Sequence, residues 1–358
     1  MYIRKNSTPS SGDQPGLDSH TLNYHYVSVS TDSAYIKPPW KLTANGAGLQ
    51  DLIKPSDVVW VINRISSNAS GMDGVKPWFI KLAVNAICSC LASLFNASLH
   101  LSCIPHHMKL SIITPVAKVN NASKPEDFRP ISVTSIVLHL MECIVARKLI
   151  YPILFNSDSY CYLNDQFGFW PSSSCECAVI KLTDIVTNNL AKSRQVDALF
   201  LDVSKAFDTL KHYTIAEAIS NITAEDFIYN WIVEFLSDRK HCTKWKDEVS
   251  GCLEINCSII QGSILGLTLF IITLSNLQLS RSDVTYVKYT DDTVAVFPGH
   301  DSFQISREIK HIVDWMESAN LKLNKGKSKL LTFNLSNCVD PAVRSTDNMQ
   351  LQQDYPYM

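Results

Sequence analysis

Charge is scarce in this sequence. Asp, Glu, Lys and Arg make up 18% of the chain, against about 25% in ordinary globular proteins. Hydrophobic residues reach 46%, and that balance excludes a wholly disordered chain. What charge there is nearly cancels, with a formal net charge of -2 and an isoelectric point near 6.5. No global basic field is available to attract a polyanion, so any nucleic-acid partner has to be recognised by a local site. Met1 to Gly16 is polar and rich in Ser and Pro, without the apolar centre of a secretory leader. The expectation is an intracellular protein of the nucleus or cytoplasm, not a secreted one. Paired C-x-x-C elements of a zinc site are missing too. The 11 cysteines are scattered, one tight group being Cys175 and Cys177 with Cys161 upstream. They read as reduced thiols, mostly small core residues. No internal repeat is evident.

The sequence does have length and uncharged runs. Its 358 residues allow a large buried core and two domains or subdomains. Leu82 to Pro105 and Ile255 to Ser280 carry no charge, and each is long enough to cross a bilayer. Polar residues interrupt both, among them Asn85, Asn96 and His100 in the first and Asn256, Gln261 and Asn276 in the second. A membrane helix tolerates few of these at its centre. Buried elements with no membrane partner are therefore expected, with a transmembrane span as the minor alternative.

Residues 1–40 read as a polar tail without apolar period, open to disorder. A helix is predicted from Ser56 or Asp57, with Val58, Val59, Ile62 and Ile65 as its stripe. Trp78 to Leu101 reads as one long helix, the run to Lys118 as a short strand, and Ile131 to Leu149 as a further helix. "VDALFLDVSKAFDTL" opens as a nearly continuous apolar strand with Asp202 near its end and Asp208 on the next turn. "VKYTDDTVAV" reads as strand, turn, strand, with Asp291 and Asp292 at the turn. Helices are predicted around Ala216, Trp231 and Ile309 to Ala319, and the polar tail 336–358 follows the last patterned residues.

Two adjacent carboxylates repel and are costly to desolvate. If the strands ending in Asp202 and in Asp291–Asp292 share a sheet, three carboxylates meet at one edge, where a hard divalent cation with oxygen ligands would neutralise them. Two such ions can activate an attacking hydroxyl and hold the leaving oxygen of a phosphoryl transfer. Asp also favours turns and strand ends for purely structural reasons, so the pattern alone leaves both readings open.

Neighbouring blocks favour the metal. "LFLDVSKAFDTLKH", "IIQGSILGLTLFIITLSNL" and "VKYTDDTVAV" resemble the successive palm blocks of a reverse transcriptase, of the non-long-terminal-repeat, jockey-like type of animal retrotransposons. "ASGMDGVKPWFIK", "PVAKVNNASKPEDFRPISVTSI", "LNDQFGFWPSSSCECAV" and "WMESANLKLNKGKSKLLTF" resemble its other blocks, in the same order, from about Leu52 to Phe333. The resemblance implies an α+β fold: a palm with a split β-α-β-β-α-β sheet over 191–335, a mostly helical fingers region over 41–190, and no thumb after Phe333. The domain would thus be truncated at both ends.

The activity implied is RNA-directed DNA polymerisation by two-metal nucleotidyl transfer to a primer 3′-hydroxyl. The partners would be an RNA template, a DNA primer and deoxynucleoside triphosphates, and the cofactor Mg²⁺ in two copies, with Mn²⁺ as a substitute. By the same resemblance Asp202 and Asp291 are the main metal ligands, Asp292 a supporting one, and the Val203 carbonyl completes a shell. Phe207 would lie under the incoming sugar, Gln261 and Gly262 along the template and incoming base, and Lys118 and Arg129 on the triphosphate. Lys327 would meet the leaving pyrophosphate. Each also has a plain structural reading: core aromatic, helix-start turn, solvated charge, basic turn. Trp170 stands where the family has Arg, Leu267 where it has Pro, and Thr290 where it commonly has Ala. A catalytically inactive or domesticated remnant that at most binds RNA is the alternative.

Overall fold

A computed structural model describes residues 17–42, 52–155, 163–170, 173–222, 225–278, 280–299 and 301–335, and the backbone of Arg344 and Ser345. Cys161 and, apart from those two residues, the expected tail 336–358 lie outside the described residues. The strands, numbered in chain order, are β1 Leu110–Ala117, β2 Phe128–Thr134, β3 Gln195–Leu201, β4 Val203–Ser204, β5 Arg239–Trp245 and β6 Glu248–Val249. Then come β7 Leu253–Ile255, β8 Thr285–Tyr289, β9 Asp292–Pro298, β10 Lys322–Leu323, β11 Lys329–Asn334 and β12 Arg344–Ser345.

One sheet has the order β2-β1-β5-β6, with β7 also on β5, and its β1–β5 pair is parallel. A second sheet, β12-β11-β3-β9-β8, is antiparallel throughout. The short pair β4–β10 sits just past the end of β3. The sequence reading divides the chain near residue 190, but β5 crosses back to pair with β1.

The apolar run of β3 has a physical reason. Val196, Ala198 and Phe200 pack on one face of the second sheet against Ala178, Leu182 and Ile185 of the Cys175–Ser193 helix. Leu199 and Leu201 face the other way, into the main core with Ile305, Ile309 and Ile312 of the Ser302–Ser318 helix. A strand covered on both faces shows no polar alternation. The same main core takes in Ile62, Phe95, Leu140, Trp231 and Phe270 from the surrounding helices.

Four expectations change. Residues 1–40 are not all tail: Ser19–Val29 is a helix, capped by the Asp18 side chain accepting from Thr21 N–H. Its Leu22 and Tyr26, four apart, are buried, and Asn23 donates to the Gly251 carbonyl at 2.9 Å and accepts from Thr243 Oγ1 at 2.9 Å. The stripe of the Pro55–Ile62 helix buries Val61 with Val58 and Ile62, rather than Val59. Trp78 to Leu101 is two helices, Pro77–Leu82 and Val84–Leu101, parted at Ala83, whose φ of −86° and ψ of 1° leave helical geometry. Ile131 to Thr134 is strand, since β-branched Ile131, Val133 and Thr134 pair with β1; the helix starts at Ile136.

Of the two uncharged runs, the Val84–Leu101 helix is long and apolar enough to cross a membrane by length and composition. Its Phe95 and Leu99 lie in the core, and its Asn96 accepts from Ile53 N–H at 2.9 Å and donates to Ile53 O at 2.8 Å.

Two buried imidazoles carry a pH prediction. Burial pushes His212 and His241 down to about 4. A depressed histidine stabilises the fold fully above its unfolded value of about 6.5, and that stabilisation is lost as pH falls towards the folded value. The stability of wild type relative to His241→Asn should therefore drop by about 2 kcal/mol between pH 7.5 and pH 5. Urea unfolding at the two pH values measures it, and an unchanged difference would refute a neutral buried His241.

Candidate active site at the second sheet

β3 ends at Leu201, which pairs with Thr293 of β9. Asp202, the next residue, is thereby brought beside Asp292, the first residue of β9. Tyr289 pairs with Asp292, so the link from β8 to β9 is the two-residue turn Thr290–Asp291. Strand pairing thus sets Asp202 and Asp292 at one end of the sheet, with Asp291 on the adjoining turn. Burial raises the Asp291 carboxyl above the ordinary value, and the Asp292 and Asp202 charges raise it further. Asp292, exposed at the start of β9, is raised by partial desolvation and then by Asp202, while Lys327 opposes the shift. Among the described residues, however, no group of three or more His, Cys, Asp or Glu side chains is closed up enough to hold a metal ion. The carboxylates sense one another without forming a finished donor cage.

Lys327 has a structural reason for its place. The turn after β10 wraps the Asp202 backbone: Asn324 N–H donates to Asp202 O at 2.8 Å, and Asp202 N–H donates to Ser328 Oγ at 3.2 Å. That turn carries the exposed Lys327 ammonium to 3.8 Å from Asp202 Oδ2. Val203 is buried in β4, its backbone paired with Leu323.

The Thr290–Asp291 turn is held from outside its own hairpin. Thr290 has φ +61°, a strained value for a β-branched residue. The carbonyl oxygen of the buried Gln166 side chain accepts from Thr290 N–H at 2.9 Å and from Gly168 N–H at 2.8 Å. Phe167 N–H donates to Lys288 O and Lys288 N–H to Asp165 O, so this segment runs alongside β8. The Lys288 ammonium, 1% exposed, meets three acceptors: Asp165 Oδ2 at 2.8 Å, Leu277 O at 2.8 Å and Leu274 O at 3.2 Å. Its three donors are thus all used. Sequence reasoning marked the block "LNDQFGFW" but missed Gln166 as a brace; Gly168 was the available signal. Trp170 packs against Phe155, ring centroids 4.9 Å apart.

Lys118 and Arg129 sit on the β1–β2 hairpin, as expected, Arg129 opposite Val116. Lys118 donates to Glu126 O at 2.8 Å, and burial lowers its ammonium below the usual range. Arg129 acts on Asp291, which ties this hairpin electrostatically to the carboxylates. Gln261 and Gly262 press against the same hairpin: Ser132 N–H donates to Gln261 O at 2.7 Å. Gly262 has φ +122°, and a Cβ there would run into the Ser132 carbonyl. The close approach that this glycine permits is to β2. Phe207 stacks on Phe270, centroids 4.2 Å apart, and is half-buried.

The family profile of reverse transcriptase (RNA-dependent DNA polymerase) matches residues 117–353, a span that includes Lys118, Arg129, Asp202, Asp291 and Asp292 and runs past Phe333. The chain is 24% identical over 293 residues to the probable RNA-directed DNA polymerase from transposon BS of Drosophila melanogaster, covering 77% of this chain and 32% of that protein. It is 24% identical over 305 residues to the counterpart from transposon X-element, covering 81% and 33%. It is 22% identical over 277 residues to the polymerase from mobile element jockey, covering 74% and 30%. The chain thus spans about a third of the length of these relatives. Among solved structures, telomerase from Candida tropicalis aligns with a TM-score of 0.47 and 13% identity, over 78% of this chain and 56% of that one. By the profile match and its non-long-terminal-repeat relatives, the chain belongs to the reverse transcriptase family.

Proposed function

We propose that this chain extends a DNA primer 3′-hydroxyl with deoxynucleoside triphosphates on an RNA template. The second sheet is then the palm, and the β1–β2 hairpin with its surrounding helices the fingers. The observation that carries the reading is the pairing of β3 with β9 and β8 with β9, which sets Asp202, Asp291 and Asp292 at one end of the second sheet. Carboxylates gathered at such a cost suit a divalent cation, and the all-oxygen donor set suits Mg²⁺, with Mn²⁺ as a substitute.

Asp202 and Asp291 would hold the metal, with Asp292 and the Val203 carbonyl in support. Bound metal supplies charge neutralisation at the attacking and leaving oxygens. The remaining roles belong to the chain. Arg129 and Lys118 orient the triphosphate from the hairpin, Arg129 with its planar fork. Phe207, anchored on Phe270, presents a rigid edge to the sugar. Lys327, beside Asp202, offers a proton or a counter-charge to the pyrophosphate. Gln261 lines the path of the incoming base.

Primer extension on an RNA template with Mg²⁺ or Mn²⁺ tests this directly. Incorporation of deoxynucleotides with either ion is expected. No incorporation by folded wild-type protein with either ion would leave the alternative, a non-catalytic remnant.

A further inference from the structure

A half-buried carboxylate next to the site has no role in this scheme. Asp208 follows Phe207 on the short helix Ala206–Thr209. Its Oδ1 accepts from Gln261 Nε2 at 2.6 Å, across 53 positions of sequence. The Gln261 main chain is fixed on the other side, where its carbonyl accepts from Ser132 N–H of β2. Gln261 is therefore held at both ends, by the hairpin through its backbone and by Asp208 through its side chain.

The bond has a polarity. A carboxylate facing an amide can only accept. The Gln261 amide must turn its NH₂ towards Asp208 and its carbonyl oxygen elsewhere. A lone glutamine would be free to flip. The surroundings also fix Asp208. Lys118 and Lys205 reach it electrostatically from the hairpin and from the turn before its helix, and Tyr26 of the Ser19–Val29 helix lies close enough to feel its charge. Tyr26, Lys118, Lys205, Asp208 and Gln261 share the lining of a cavity of about 40 Å³.

We propose that Asp208 is a positioning residue for the incoming nucleotide: it locks the Gln261 amide so that a fixed acceptor oxygen faces the nucleotide site. This rests on the polymerase reading for the ligand, but the lock is a property of this chain. Asp208 does not touch the reacting atoms. Its effect should appear in nucleotide affinity, not in the chemical step or in primer–template binding.

Steady-state primer extension, with primer–template binding measured separately, separates these. Asp208→Ala should raise KM for deoxynucleoside triphosphate about tenfold, as expected for loss of a charge-assisted hydrogen bond, with kcat changed less than about threefold. The primer–template Kd should not move. Asp208→Asn, whose amide can donate as well as accept, no longer fixes the Gln261 amide and should raise KM by about threefold, short of Asp208→Ala. Gln261→Ala should raise KM similarly, and the double variant should add nothing further. Additive effects, an Asp208→Asn with the wild-type KM, or an equal rise in primer–template Kd would overturn the proposal.

If Asp208→Ala does not fold, Gln261→Glu asks the same question. Two carboxylates at that spacing repel, so its KM should exceed that of Gln261→Ala and be relieved by adding Asp208→Asn. No such relief would overturn the lock. If wild type extends nothing, the polymerase reading fails separately, and binding of Mg²⁺–deoxynucleoside triphosphate to the protein decides the lock. A tenfold loss in Asp208→Ala supports it; equal binding, or no binding by wild type, overturns it.

Discussion

Asp291→Asn should lower the rate of primer extension by a thousandfold or more, on the order seen when a principal charge-stabilising group is lost. The same substitution should make the protein more stable at neutral pH. Both effects follow from one fact, that Asp291 is half-buried beside Asp292 and Asp202 and its carboxyl is raised. A raised folded value means the folded protein holds the proton more tightly than the unfolded chain does. The stability this brings is fully present below the unfolded carboxyl's value of about 4 and is lost as pH rises through the folded value. At pH 7.5 the ionised side chain is therefore a liability, which the isosteric amide removes. The melting temperature of Asp291→Asn should exceed wild type by a few degrees at pH 7.5 without divalent ions. The gap should narrow as pH falls towards 4 and the wild-type carboxyl takes up its proton. Adding Mg²⁺ should stabilise wild type by mass action and the variant much less. A variant that melts below wild type at pH 7.5, or that still extends the primer, would refute this account of the site.

The parts of this design legible in the sequence are those whose signal is local. The continuous apolar run ending in Asp202 and the Asp–Asp turn between β-branched strands both announce themselves, and the order of the blocks supplies a reason to join them. Ile131 to Thr134 misled because short apolar runs fit helix and strand alike, and pairing with β1 decided the matter. Leu22 and Tyr26 were too sparse among polar residues to show a helix, and that helix gains most from what it touches, Gly251 and Thr243, more than 200 residues on. The braces around the site share this character. Gln166 bonds a residue 124 positions away and Gln261 one 53 positions away, and no local period encodes either partner. Carry-over from a family names the residues expected to touch substrate; the residues that hold them emerge only from packing.

Gly168→Ala should be the most damaging single methyl group in this region. A Cβ at Gly168 would lie closer than 3.0 Å to the Thr290 backbone nitrogen and to Thr290 Oγ1. One of those atoms belongs to the turn's own backbone, so no side-chain rotation relieves the overlap. The turn cannot retreat freely either, because Gln166 Oε1 holds Thr290 N–H and Gly168 N–H together. Overpacking of this kind costs about 3 kcal/mol. The displacement falls on Thr290, one residue before Asp291, so extension should drop about a hundredfold, the effect of misplacing a reacting group by roughly an ångström. Gly251→Ala is the control, since its new methyl meets nothing within 4 Å, and its stability should stay within about 0.5 kcal/mol of wild type. Gly168→Ala with Thr290→Gly should recover part of both losses. Glycine removes the Oγ1 overlap and accepts the left-handed φ of +61° without strain, but the overlap with the backbone nitrogen remains. Chemical denaturation and extension rates on the three variants decide it. If Gly168→Ala is as stable and active as Gly251→Ala, the segment from Asp165 to Gly168 does not set the position of the Asp–Asp turn.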